Sequence, residues 1–113
     1  MKKQNLSEYI EFSEERFTKR VVFKEGQSTV FLLNFKPGQS LPAHKHPGTN
    51  VYLQLLQGEG TFTFDGEKVA VTKDDILVAG GDEELSFAND GSSNVSLYVM
   101  LNKIPDDSYA KDV

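Results

Sequence analysis

Two histidines, His44 and His46, stand one residue apart in the stretch GQSLPAHKHPGTNVYLQLLQGEG, and the chain has no others. Imidazole binds divalent metals and exchanges protons near neutral pH. Residues at i and i+2 of a strand share a face, so a His-x-His pair on a strand points both rings the same way and turns Lys45 to the opposite face. Two imidazoles are the beginning of a metal site. Neither a cysteine nor a third histidine is present to complete one, whereas structural zinc sites use four protein ligands and catalytic ones usually three. The pair is therefore read as a weak site for a divalent ion, or as two polar contacts to a ligand in a pocket. No Ser-His-Asp or paired-carboxylate arrangement of convincing spacing accompanies it, which makes metal-free hydrolysis a poor expectation.

Such rings need a framework to hold them, and the sequence reads as short strands separated by turns. STVFLLNF, 28–35, is rich in β-branched and aromatic residues and is followed by the turn residues Pro37 and Gly38. In NVYLQLLQ the alternation places Val51, Leu53 and Leu55 on one face and Tyr52 and Gln54 on the other. TFTF and KVAV flank Asp65-Gly66, a hairpin signal. DDILVAGG, ELSFA and VSLYVML supply three more apolar runs. The pattern predicts an all-β fold, a small antiparallel barrel or sandwich. Ahead of it, LSEYIEFSEERF suggests a helical turn capped by Ser7 or Ser13, and TKRVVFKE a charged edge strand. The polar tail from about residue 106 is expected to fray.

The spacing of Gly38, His44, His46 and Gly58 resembles the first motif of the cupins, and HPGTN and LLQGEG resemble small single-domain members. KDDILVAGGDEELSFAN, 73–89, resembles the second motif, with Asp75, Phe87 and Asn89 at matching positions. Together the motifs and the hairpin between them cover residues 38–89. The resemblance implies a double-stranded β-helix of jelly-roll type, with the whole chain, 1–113, as one domain. It also implies a ligand set. In metal-binding cupins two histidines and a carboxylate come from the first motif and a third histidine from the second. Here the carboxylate position falls on Val51 and the third-histidine position on Leu85, while Gly80, Gly81, Asp82, Glu83 and Glu84 replace a proline-rich stretch. A one-residue slip would put Asn50 or Glu84 in those places, but the distances to Gly58 and Asn89 hold without it. Valine and leucine have no lone pair to donate. The resemblance thus implies a degenerate metal site, with no certain cofactor beyond a weakly bound divalent metal at His44 and His46. The expected ligand pocket comprises His44, His46, Val51, Leu53, Leu85 and Phe87.

Charge and composition narrow the function classes. Net charge is -5 and the 12 basic residues are scattered, which argues against nucleic acid. No apolar run approaches the roughly 20 residues that cross a bilayer. The N-terminus is basic without an apolar segment behind it, unlike a secretory signal. The lack of cysteine agrees with a reducing cytoplasm. The favoured reading is a barrel that binds a small molecule. Two others stay open: a metal-dependent dioxygenase or isomerase, with catalytic residues unknown, and a non-catalytic assembly module whose barrel is filled by side chains. A homodimer is expected, because Tyr98 and Met100 share a face opposite Leu97 and Val99, and one sheet face of cupins often packs on a second subunit.

Overall fold

The computed structural model describes residues 1–104, so the expected fraying of the tail from about 106 lies outside the described residues. A short 3₁₀ turn, Leu6–Tyr9, precedes nine strands: β1 (Thr18–Glu25), β2 (Ser28–Phe35), β3 (Ser40–His44), β4 (Thr49–Gln57), β5 (Glu59–Phe64), β6 (Glu67–Thr72), β7 (Ile76–Ala79), β8 (Leu85–Ala88) and β9 (Val95–Lys103). They form two antiparallel sheets, in the orders β1-β2-β9-β4-β7 and β3-β8-β5-β6. Among the described residues no ladder joins the two sheets, so the expected barrel or sandwich takes the form of two facing sheets with open seams. Among the described residues no helix is long and apolar enough to cross a membrane.

Alternation along each strand decides what goes between the sheets. On β4, Val51, Leu53 and Leu55 are buried while Tyr52 and Gln54 stay half-exposed. Leu33, Phe35, Leu97 and Val99 join them from β2 and β9, and Phe62, Leu85 and Phe87 come from the facing sheet. Each such side chain contributes about 1.5–3 kcal/mol when taken fully out of water. The Asp65-Gly66 hairpin joins β5 to β6, with φ of 48° and 85°. Both central residues are left-handed, as the tightest hairpin turn requires, and glycine carries the larger angle without a Cβ clash.

β1 is an edge strand, as its charges suggest. The N-terminal cap differs from expectation. Asn5, not Ser7 or Ser13, precedes the 3₁₀ turn, and its side chain accepts from the Ser7 amide at 2.9 Å. A side-chain carbonyl reaching the amide two residues on is the usual asparagine turn, and Ser7 is thereby drawn inside the turn. The end of the turn, Tyr9, sits against the outer face of the five-stranded sheet. Buried Asn34 donates to the Tyr9 carbonyl at 2.9 Å and accepts from Ser96 at 2.7 Å, and Gln57 donates to Ser96 at 3.0 Å.

Candidate functional site

One cavity of about 160 Å³ opens between the sheets, and both histidines line it. His44 ends β3, next to a break in the β3–β8 register between Leu41 and His44. His46 lies beyond the strand, in the loop that carries Pro47 and Gly48. This corrects the expectation that both histidines sit on one strand. Proline supplies no amide to a ladder, and the left-handed Gly48 (φ 74°) turns the chain toward β4. The rings nevertheless converge, with centroids 4.5 Å apart at 72°. Gly81 holds the loop in place. The His46 amide donates to the Gly81 carbonyl at 3.0 Å, and a Cβ on Gly81 would lie 2.1 Å from the His46 carbonyl oxygen. Any side chain there would push the His46 backbone away.

The two imidazoles are not equivalent. His44 Nδ1 lies 2.7 Å from the Pro42 carbonyl oxygen. A carbonyl only accepts, so Nδ1 carries the proton and a neutral His44 presents its lone pair at Nε2. His46 Nδ1 is buried without a hydrogen-bond partner among the described residues. Its pKa is pushed below the ordinary 6.5, first by burial, then by the charge of His44 and of Lys19. Both influences favour the neutral form of His46.

Val51, Leu53 and Leu85 line the same cavity, each 2% exposed. Phe87 does not. Its ring packs at a tilt against Phe35 and Phe62, with centroids 5.0 and 4.8 Å away, in the filled part of the core. Further walls come from Phe31 and Leu33 on β2, Leu41 on β3, and Val99 and Leu101 on β9. Phe17 and Lys19 complete the lining. Neither was expected from the sequence, although their i, i+2 spacing puts both on one face of β1 and its approach. Lys19 is exposed, and its ammonium sits 4.5 Å from the centroid of the Phe31 ring. Asn50 and Glu84 are not among the lining residues, and Glu84 is exposed.

Among the described residues no group of three or more His, Cys, Asp or Glu side chains could hold a metal ion. Beside the histidines the cavity wall offers hydrocarbon and the Lys19 ammonium, neither of which has a lone pair to donate. The residues present do not fit the three-histidine, one-carboxylate set that metal-binding cupins use. What the arrangement can do is hold a small, mostly apolar molecule and direct it with a few polar groups, the usual construction of a small-molecule site.

Comparison with known proteins gives the family. Residues 31–101 match the model of the cupin domain, and the chain belongs to that family. The chain is 28% identical over 69 residues to an oxalate-binding protein of Thermotoga maritima. That match covers 61% of this chain and 57% of the relative, so the chain spans little more than half the length of this curated relative. Among solved structures, a protein of Thermus thermophilus superposes with a TM-score of 0.86 at 22% identity, covering 93% of this chain and 100% of that one. An RmlC-like cupin from Desulfovibrio desulfuricans gives 0.76 at 28%, covering 88% and 95%. A predicted oxalate decarboxylase of Thermotoga maritima gives 0.64 at 19%, covering 81% and 97%. At such identities these structures show the fold.

Proposed function

We propose that this cupin binds a small organic molecule in the cavity between its sheets, with His44 and His46 as the polar contacts. One observation carries the reading. A buried imidazole nitrogen, His46 Nδ1, has no partner among the described residues and belongs to a residue that lines an otherwise mostly apolar cavity. A buried polar atom without a partner costs about 1–3 kcal/mol. A ligand that hydrogen-bonds to it recovers that cost on binding. The oxalate-binding relative supports a small-molecule ligand. A divalent ion is at most a weak second occupant of the two imidazoles.

The test is thermal denaturation of chelated protein against a panel of small organic acids, alcohols and amides. At least one class should raise the melting temperature in a concentration-dependent way, because a ligand that binds the folded state stabilises it by mass action. Val51→Phe, which fills the cavity, should abolish the shift. A panel that stabilises nothing, or stabilises Val51→Phe equally, would refute the reading.

The cavity reading is joined by a second, on assembly. Strand register aligns Phe23, Val30, Met100, Tyr52 and Val78 in one row across all five strands of the larger sheet, on its outer face. Val78 and its neighbour Ile76 are 62% and 69% exposed. We propose that two copies pair through this row, in the reducing cytoplasm that a cysteine-free chain suits. Val78→Lys should convert a dimer to a monomer in sedimentation. A wild-type monomer at high concentration would remove the proposal.

A further inference from the structure

We infer that the cavity takes a monoanion with an apolar body, such as a small aromatic or branched aliphatic carboxylate, its charged end against Lys19. This rests on the cavity being a ligand site. Three observations point to the class.

The first is the sign of the charge. Lys19, His44 and His46 are the polar lining residues, and among the described residues no carboxylate lines the cavity. Lys19 makes no ion pair among the described residues. Its ammonium is placed instead over Phe31, itself part of the cavity wall. A cation held on an aromatic face at a cavity rim, with no anion of its own, is positioned for one from a ligand.

The second is size. The cavity of about 160 Å³ is close to the roughly 150 Å³ engineered apolar cavity that admits benzene. A body of about six carbon atoms fits that space.

The third is the wall. Away from the three polar residues the surface is leucine, valine and phenylalanine. A dianion such as oxalate, two carboxylates with no carbon chain between them, would press its second charge against that hydrocarbon. A buried charge without a partner is strongly disfavoured. The chain is thus expected to diverge in ligand from a relative named for binding oxalate.

Titration calorimetry on the chelated protein tests the inference with three probes. Benzoate carries the anion and the ring, benzyl alcohol the ring alone, and oxalate the anion alone. Wild type should bind benzoate about tenfold or more tighter than benzyl alcohol, the effect of one charge-assisted contact, and oxalate more weakly than benzoate. Lys19→Met should erase the preference for benzoate over benzyl alcohol, and Lys19→Arg should keep it. Lys19 is exposed, so both variants are expected to fold, which circular dichroism checks. Equal affinity for benzoate and benzyl alcohol in wild type would overturn the inference while leaving the cavity a ligand site. So would tighter binding of oxalate, or an unaltered preference in Lys19→Met. If no probe bound at all, the cavity reading would fall with it.

Discussion

Asn89 and His46 lie toward opposite ends of the β3–β8 ladder, which runs from Ser40 opposite Ala88 to His44 opposite Leu85. Both bring a polar nitrogen into the protein interior, and they are treated in opposite ways. Asn89 is 1% exposed and fully engaged. Its Nδ2 donates to the Phe35 and Ser93 carbonyls at 3.2 and 2.9 Å, and its Oδ1 accepts from the Gly91 amide at 3.2 Å. His46 Nδ1 has no partner among the described residues. The packing differs in the same sense. Near Asn89 the space between the sheets is filled by Phe35, Phe62 and Phe87. Near His46 it is walled mostly by valine and leucine side chains, with Phe17 and Phe31 beside them, and stays hollow. Rings fill one end and fix the fold. The mostly aliphatic side chains at the other leave room beside a polar nitrogen that has no partner among the described residues. Interiors normally pack to crystal-like density with their polar groups paired. An end that departs on both counts is where binding is to be sought.

The contrast can be broken most severely by completing the polar set at the hollow end. Val51→Glu with Leu85→His adds a carboxylate and an imidazole to walls that already face His44 and His46. Affinity for a divalent metal should rise by several orders of magnitude over wild type in calorimetric titration, with neither single change matching the pair. The apo variant should melt lower, because an unpaired buried carboxylate is unfavourable, and metal should restore it. A double variant that binds metal no better than wild type would show that the four side chains do not converge.

A smaller effect sharpens the comparison directly. Asn89→Ala should cost about 1–3 kcal/mol in urea denaturation, since it strands the Gly91 amide and two carbonyls. His46→Leu should cost less than about 1 kcal/mol or stabilise, because it deletes a polar atom with no partner to strand, while lowering ligand affinity. Comparable destabilisation by both would mean that His46 is a structural residue after all.

The smallest effect is on pH. The folded pKa of His46 lies below the unfolded value of about 6.5, so the unfolded chain binds more protons over the window between them. Its contribution to stability is complete above about pH 6.5 and is lost as pH falls from there through the folded value. Urea midpoints at pH 7.5, 6.5 and 5.5 should decline more steeply for wild type than for His46→Leu. Parallel profiles would contradict the assigned environment.

Much of this was legible from local pattern. β-branched and aromatic runs marked the strands, and β2 runs over the residues the pattern indicated, Ser28–Phe35. Asp65-Gly66 forms its hairpin, and alternation along β4 turns Val51, Leu53 and Leu55 inward. These features depend on neighbours a few residues apart, so composition and period suffice to read them. The motif spacing further identified the family before any coordinates did.

Other features needed the tertiary structure. That β9 pairs with both β2 and β4 depends on contacts across most of the chain, which no window of sequence contains. Phe87 alternates with Leu85 on β8 as the pocket expectation required, yet its ring turns to Phe35 and Phe62 and away from the cavity. Lys19 lies 25 residues before His44 by number and joins it only because β1 completes the sheet beside the open seam. Gly81 stood in the sequence only as part of the stretch replacing a proline-rich segment, and its contact with the His46 carbonyl was invisible there. A strand is a property of a segment and can be written in that segment. A cavity is the volume left over when side chains from many segments have packed, and its shape and charge exist only once they have met.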